Sequence, residues 1–208
     1  MSLARVNGSS AHETGVLPPV VILTMARSRS SLIAGLFHAH GCWVGRVKGP
    51  DHFNRTGYFE NFYIKRLIKR NRPDADSYRT ILKGRKPYPK VRYPELVETI
   101  KNDGYKGGPW LSKVDVFAWP IYQGKFVKVW RSREGILDSI KRTPFMNYRK
   151  FTPDEWRKVI DAHHEEMASI DGFDIDTDRL VNGDIQQLVE AIEGCGLTFN
   201  PDTLDLIE

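Results

Sequence analysis

The chain has 208 residues, of which 40% are hydrophobic and 27% are charged, and this composition is that of a folded globular protein rather than a collagen, a coiled coil or a disordered chain. This length predicts one domain, and no apolar stretch reaches the roughly 18 residues of a membrane-spanning helix. Lysine and arginine number 31 and aspartate and glutamate 26, so the net charge of +5 favours an anionic ligand without identifying it.

The chain begins with a polar, aperiodic segment that carries no signal-peptide pattern, and we therefore expect a cytoplasmic protein. Residues 1–18 are predicted to be a flexible tail, and residues 19–208 a single domain. The nearly continuous apolar run at 19–25 predicts a buried parallel strand. A polar turn at 26–31 follows it, and the apolar stretch 32–40 predicts a helix.

Predicted helices and strands alternate in the remainder of the chain. Residues 42–58 are rich in Gly, Pro, Asn and Asp and predict a long surface loop, and residues 72–91 contain three prolines and are expected to be irregular. The predicted strands are 110–114, 125–130 and 173–177, and the predicted helices are 60–70, 93–102, 134–142, 152–170 and 183–193. This alternation predicts an α/β fold, a three-layer sandwich around a mainly parallel sheet.

The turn after the first predicted strand carries side chains suited to an anion. Parallel α/β folds bind ligands beyond the carboxyl ends of their strands, where a helix N-terminus presents free N–H groups. Two arginines and three serines add donors that suit a phosphate. These residues are Arg27, Ser28, Arg29, Ser30 and Ser31. The alternative is that Ser30 or Ser31 caps the helix while the arginines are solvated.

Two common nucleotide-binding motifs are absent from this turn. A Walker A loop needs glycines that let the backbone wrap the phosphates and a lysine that reaches the terminal phosphate, and residues 24–31 have neither. The turn also lacks a GxGxxG pattern. Hydrolysis of ATP or GTP and nicotinamide chemistry are therefore disfavoured.

A second set of anion-binding candidates follows a later strand. Arg131 comes directly after the predicted strand 125–130, and Ser139 lies eight residues further on, about two turns into the next predicted helix. Both side chains are therefore expected at the same sheet edge as the first turn. Two separate anion subsites predict a ligand with two phosphate groups.

Together the two stretches resemble the sulfotransferase family that uses 3′-phosphoadenosine 5′-phosphosulfate (PAPS). In that family a first strand ends in a [KR]-S-G-[ST]-[ST] turn, and a later strand ends in an arginine followed eight residues on by a serine. Residues 27–31 resemble the 5′-phosphosulfate loop, and Arg131 with Ser139 resembles the 3′-phosphate pair. Three other segments are similar to family sequences, namely residues 57–61, 175–181 and 196–199. Arg29 stands where the family usually has glycine, and the C-terminal R-K-G segment of the cytosolic members is missing.

The resemblance implies a P-loop-like sulfotransferase that transfers a sulfuryl group from PAPS to a hydroxyl or amine of a small-molecule or carbohydrate acceptor, without a metal and without nucleic acid as a partner. It implies that Arg27 neutralises charge on the bridging oxygen and that Lys113 supports the sulfate or the acceptor. Glu60 is implied as the general base, and His52 is the alternative, since other branches of the family use histidine. Without the resemblance, Glu60 reads as a helix-start glutamate and Lys113 as a solvated lysine at a strand end.

Two other functions are open at this point. A catalytically inactive nucleotide-binding relative would suit both the arginine at position 29 and the missing C-terminal segment. A basic nucleic-acid-binding module would use the aromatic and basic residues at 83–93, which otherwise form an exposed linker or line an acceptor cleft.

The remaining candidates for chemistry are interpreted as structural. The sequence His-His-Glu-Glu at 163–166 places His163 and Glu166 on one helix face without a third ligand, and it predicts a solvated face rather than a metal site. Cys42 and Cys195 form no CxxC pattern and are expected to be reduced, buried thiols.

Overall fold

The computed structural model describes residues 15–52, 54, 57–72, 77–143 and 150–207. Within them lies a four-stranded, all-parallel sheet of order β2-β1-β3-β4. The strands are β1 (Val20–Thr24), β2 (Leu111–Asp115), β3 (Lys125–Trp130) and β4 (Phe173–Asp176). The prediction of an α/β fold with a parallel sheet is confirmed.

Helices flank this sheet. The α-helices are α1 (Ser30–Ala39), α2 (Phe62–Arg70), α3 (Ser77–Leu82), α4 (Tyr93–Asn102), α5 (Arg133–Lys141), α6 (Pro153–Ala168), α7 (Thr177–Leu180) and α8 (Gln186–Gly194). Two 3₁₀ helices, Val116–Ile121 and Pro201–Ile207, complete the described elements. The prediction that residues 72–91 are irregular is wrong where α3 lies, because a six-residue helix between prolines is too short to show a clear periodicity.

The alternation of side chains along β1 divides the apolar core between the two faces of the sheet. Val20 and Ile22 pack in a cluster with residues of α1 and α8, whereas Val21 and Leu23 pack in a cluster with residues of α4, α5 and α6. Because both faces are covered, every residue of β1 is buried, which is why its sequence is a nearly continuous apolar run.

The predicted solvated face at residues 163–166 is wrong, because His163 and Glu166 are both buried. Glu166 accepts hydrogen bonds from Lys86 Nζ at 2.6 Å, from Tyr88 Oη at 2.7 Å and from Trp119 Nε1 at 2.6 Å. These partners come from distant parts of the chain, so the local spacing of charges on α6 gives no sign of them. No group of three or more His, Cys, Asp and Glu side chains in the described part of the chain is arranged to hold a metal ion.

The described end of the predicted tail packs on the domain. Val16 is buried, and the indole of Trp110 donates a hydrogen bond to the Leu17 carbonyl. Residues 1–14 lie outside the described residues. Among the helices that the structure describes, none is long and apolar enough to cross a membrane.

The two cysteines are free thiols that differ in burial. Cys42 is buried, and burial raises the pKa of its thiol to about 12. Cys195 is half-buried, and burial raises the pKa of its thiol to about 11. Both are therefore protonated and unreactive at neutral pH.

Candidate functional site

A cavity of about 800 Å³ opens at the carboxyl edge of the sheet. Thr24 at the end of β1, Asp115 at the end of β2 and Arg131 directly after β3 all line it. The parallel pairing of β1 with β2 places Thr24 directly beside Asp115. This is the sheet edge at which parallel α/β folds bind ligands, and the volume suits a small organic molecule.

The turn between β1 and α1 has an unusual backbone. Arg27 and Arg29 have φ angles of 72° and 62°, the left-handed conformation that glycine adopts most readily. Arg29 therefore retains the backbone shape that a glycine would give the turn. It is also the N-cap of α1 and makes no side-chain capping bond, so the interpretation of Ser30 or Ser31 as the helix cap is wrong.

The side chain of Arg29 binds Asp178, and its Nη1 also lies 3.3 Å from the Thr177 carbonyl oxygen. Asp178 in turn accepts hydrogen bonds from the backbone N–H and the hydroxyl of Ser132, at 3.0 and 2.6 Å. These contacts hold the turn against the ends of β3 and β4. No sequence signal connects positions 29 and 178, which come together only because β4 lies beside β3.

The three serines of the turn have different positions. Ser28 is buried and is not among the described residues that line the cavity. The Thr24 hydroxyl donates to the Met25 carbonyl at 2.6 Å, so the Ser28 hydroxyl is the donor in its short bond to Thr24 Oγ1. Ser28 therefore supports the turn from beneath, whereas Ser30 and Ser31 line the cavity.

Two cationic side chains and a serine from the two predicted stretches meet at this turn. Arg27 Nε donates to Ser139 Oγ at 2.9 Å, and Arg131 Nη1 donates to the Arg27 carbonyl at 2.8 Å. All three residues line the cavity. Burial lowers the pKa of both arginines, but both remain charged at neutral pH.

One of these arginines is incompletely paired. Arg131 Nε is buried without a hydrogen-bond partner among the described residues, and its nearest carboxylate oxygen, on Asp178, is 3.6 Å away. A buried guanidinium N–H without an acceptor is costly, and at a cavity wall this indicates a place for an anion.

Lys113 connects the turn to Glu60. Its Nζ donates to Ser31 Oγ at 2.9 Å and lies 3.3 Å from Glu60 Oε1. Its side chain is only 4% exposed, which excludes the interpretation of a solvated strand-end lysine. Burial lowers the pKa of Lys113, and Glu60 opposes that shift only in part.

Glu60 is held as a carboxylate by two lysines. Lys65 binds its Oε2, and Lys113 lies beside its Oε1. Burial raises the pKa of Glu60, but the two lysines lower it by more, so the net shift is downward. Glu60 precedes α2 rather than starting it, since Asn61 is the N-cap and accepts from the N–H groups of the second and third helical residues.

The backbone around Glu60 is positioned from both sides. Phe59 has a φ of 51°, and its ring packs so closely on Gly35 of α1 that a Cβ there would lie 3.2 Å from the ring. Asn61 Nδ2 donates to the Val44 carbonyl at 3.2 Å and to Asp103 Oδ2 at 2.7 Å. These contacts direct the Glu60 carboxylate toward the cavity, which it lines.

The alternative base His52 is exposed, and it is not among the described residues that line the cavity. Several residues to which the sequence analysis gave no role do line it, and these are Asn54, Tyr58, Arg72, Tyr78 and Asp115. Asp115 could have been found from its position, because it ends a strand two residues after Lys113. The others lie in loops and short helices, where no periodicity identifies a side that faces a ligand.

The cavity thus offers fixed cations, hydroxyl donors and, in Glu60, an ionised carboxylate at a single sheet edge, a set that suits the transfer of an anionic group to a nucleophile. A search of models of known protein families gives no match to this chain, and a search of curated proteins gives no significant match. The function is therefore inferred from the site itself and from the motif resemblance.

Proposed function

We propose that this protein is a PAPS-dependent sulfotransferase with the three-layer, P-loop-like α/β fold of that family. The observation that carries the proposal is the meeting of Arg27 with Ser139 and Arg131, at 2.9 and 2.8 Å. Arg27 and Ser139 are separated by 112 residues, and the resemblance assigns them to the two phosphate subsites of one nucleotide.

The residues present fit a nucleotide with two separate phosphate groups. Arg131, whose buried Nε has no hydrogen-bond partner in the described part of the chain, and Ser139 would hold the 3′-phosphate. The hydroxyls of Ser30 and Ser31 and the N-terminus of α1 would hold the 5′-phosphate. Arg29, which binds Asp178, contributes the shape of the turn and its position against β4 more than a free guanidinium.

The chemistry follows from the positions of the charged groups. PAPS would supply an activated sulfuryl group whose S–O bond to the 5′-phosphate breaks as the acceptor oxygen or nitrogen bonds to sulfur. Arg27 neutralises the charge that the phosphate oxygen gains with the electron pair of the broken bond. Lys113 would stabilise the sulfuryl oxygens, and its position between Ser31 and Glu60 supports this role.

Glu60 takes the proton that the acceptor loses. Its lowered pKa keeps it ionised, so it is ready to accept this proton at neutral pH. A weakly basic carboxylate suffices because the acceptor hydroxyl becomes acidic only as its bond to sulfur forms. Fixed arginine and lysine side chains would supply the cationic stabilisation, and the proposal includes no metal.

Calorimetric titration with adenosine 3′,5′-bisphosphate, the proposed product, tests the donor site, with ATP and 5′-AMP as comparisons at physiological salt. We expect saturable one-to-one binding that is selective for the bisphosphate. Arg131→Ala should weaken that binding by about ten-fold or more, because a charged hydrogen bond to a phosphate is lost. Arg133→Ala is the matched control, since Arg133 is half-exposed, pairs with Asp161 at 2.6 Å and is not a described lining residue.

Other outcomes identify the alternatives. Selective binding of the bisphosphate without transfer from PAPS to any acceptor supports an inactive nucleotide-binding relative. Affinity that increases with the number of phosphates and falls steeply with salt supports a nucleic-acid-binding module. Unchanged bisphosphate binding in Arg131→Ala contradicts the assignment of the 3′-phosphate subsite.

A further inference from the structure

A second group of charged side chains lies at the β2 side of the cavity. Asp115 ends β2, Arg72 follows α2, and His163 comes from α6. His163 Nε2 lies 3.3 Å from Asp115 Oδ2, and Arg72 Nη2 lies 3.8 Å from Asp115 Oδ1. Arg72 and Asp115 line the cavity, and His163 is completely buried behind them.

The ring of His163 is held between α6 and the end of β2. Its Nδ1 lies 2.7 Å from the Val159 carbonyl oxygen, which can only accept, so Nδ1 carries a hydrogen. Its Nε2 lies beside Asp115 Oδ2, whereas the nearest atom of Arg72 lies beside Asp115 Oδ1. The carboxylate of Asp115 is therefore shared between His163 and Arg72.

Arg72 is connected to this group by a long ion pair with a carboxylate that it shares with His163. Its contact with Asp115 at 3.8 Å is too long for a hydrogen bond. Its Nε is buried and has no hydrogen-bond partner among the described residues, although only 20% of the side chain is exposed. A largely buried guanidinium at a cavity wall that has a long ion pair and an N–H without an acceptor suits an anionic ligand that enters from the cavity.

The surrounding wall is apolar and cationic. Ile64 and Ile68 of α2 line the cavity with apolar side chains. Lys65 and Lys69 lie one residue further along the same helix and line it as well. Arg72 lines it from just after the end of α2. Further apolar surface comes from Tyr78, Val114 and Ala118. The wall therefore suits a molecule with an apolar body and an acidic group.

This group is separate from the proposed nucleotide subsites. Asp115 ends β2, whereas Arg131 follows β3, and β1 lies between these two strands. Two strand spacings amount to about 10 Å. An anion at Arg72 would thus lie on the opposite side of the β1 turn from the 3′-phosphate subsite.

We propose that Arg72 is the centre of a third anion subsite, which binds an acidic group of the acceptor: a carboxylate, sulfate or phosphate attached to an apolar body. The planar guanidinium would donate two parallel hydrogen bonds to that group, and Ile64, Ile68 and Tyr78 would contact the apolar body. The identification of the bound molecule as the acceptor rests on the proposed function. The subsite itself is defined by Arg72, Asp115 and His163, which meet at the end of β2.

The test uses hydrocinnamate and its uncharged amide, hydrocinnamide, two molecules of the same shape that differ in the acid group. Each is titrated into the full chain by calorimetry, with and without adenosine 3′,5′-bisphosphate. We expect hydrocinnamate to bind about ten-fold or more tightly than the amide. In Arg72→Gln the two affinities should become equal.

Matched variants make the comparison specific. Arg66→Gln removes the same charge from the exposed side of α2, outside the described cavity lining, and should retain the preference for hydrocinnamate. Arg72→Lys keeps the charge without the fork and should show an intermediate preference. If Arg72→Gln does not fold, which circular dichroism reveals, the wild-type comparison and Arg72→Lys decide the outcome.

Equal binding of the two probes, no measurable binding of hydrocinnamate, or a preference that survives in Arg72→Gln overturns the subsite. A failure of the proposed function is seen separately, as a failure of the bisphosphate to bind. The preference for hydrocinnamate does not require the nucleotide, so it can persist in that case, and each proposal can fail while the other stands.

Discussion

Glu60 and Glu166 are both carboxylates that bind lysine, but their environments differ. Glu166 is 2% exposed, and its two oxygens accept hydrogen bonds from Lys86, Tyr88 and Trp119. The Glu60 side chain is 29% exposed, contacts two lysines and lines the cavity. In both residues burial raises the pKa of the carboxyl group and the hydrogen-bonding partners lower it by more.

The difference lies in what each carboxylate can still bind. Tyr88 and Trp119 donate to Glu166, so this carboxylate joins α6 to the segment before α4 and to the 3₁₀ helix Val116–Ile121. Glu166 is buried and is not among the described residues that line the cavity. Among the described residues, the side-chain partners of Glu60 are the two lysines, and one of them, Lys65, is largely exposed. The carboxyl pKa is lowered in both residues, so this property does not distinguish them. Glu60 is the candidate for catalysis because it lines the cavity, whereas Glu166 is a structural carboxylate.

The largest effect is expected for Glu60→Gln, which keeps the size of the side chain but cannot accept the proton of the acceptor. Transfer of labelled sulfate from PAPS to an acceptor found by screening should slow by roughly 10²–10⁴-fold, the usual contribution of a general base. Binding of adenosine 3′,5′-bisphosphate should be unchanged. Glu98→Gln, at an exposed position of α4, is the control. A wild-type transfer rate in Glu60→Gln removes Glu60 from the chemical step.

Glu166→Ala should have the next largest effect, and it should act on stability. Removing this carboxylate leaves the partly buried Trp119 and Tyr88 donors without their acceptor, and we expect the free energy of unfolding to fall by about 1–3 kcal/mol. Urea denaturation measures this change. Glu165→Ala, at the exposed neighbouring position, should stay within about 0.5 kcal/mol of the wild type. Equal stabilities of the two variants would show that Glu166 is not a structural carboxylate.

The local features of the site are the ones that the sequence predicted. The apolar run of β1, the polar turn after it and the spacing of Arg131 and Ser139 each lie within a short stretch, and the parallel fold then brings them to one edge. The partners of Glu166 could not be predicted, because they lie 47 to 80 residues away. The same holds for Arg29 and Asp178, which are 149 residues apart.

Acidic pH should reduce the difference between wild type and Glu166→Ala. The folded-state pKa of Glu166 is lowered, so its contribution to stability is fully present above the ordinary glutamate pKa of about 4.3 and is lost as the pH falls through the lower folded-state value. Urea denaturation at neutral pH and below pH 4 checks this. A constant difference across that range would mean that the charge of Glu166 contributes nothing.

The same direction of shift gives Glu60 a kinetic signature. Because its pKa is also lowered, a rate that depends on the Glu60 carboxylate should not decline until the pH falls below about 4.3. A general base of the histidine type would instead place the decline at about pH 6–7. The pH profile of the transfer rate therefore discriminates between the two kinds of base, and a decline near pH 6–7 would favour the alternative.

The smallest effect is expected for Lys86→Met, which tests how much of the role of Glu166 depends on the ion pair. The Lys86 side chain is 58% exposed, so water screens its charge and replaces it readily, and the free energy of unfolding should fall by less than about 1 kcal/mol. Urea denaturation of Lys86→Met, Glu166→Ala and the double variant measures the coupling. If Lys86→Met costs as much as Glu166→Ala, the lysine rather than the neutral donors holds Glu166 in place, and the contrast with Glu60 is then one of cavity access alone.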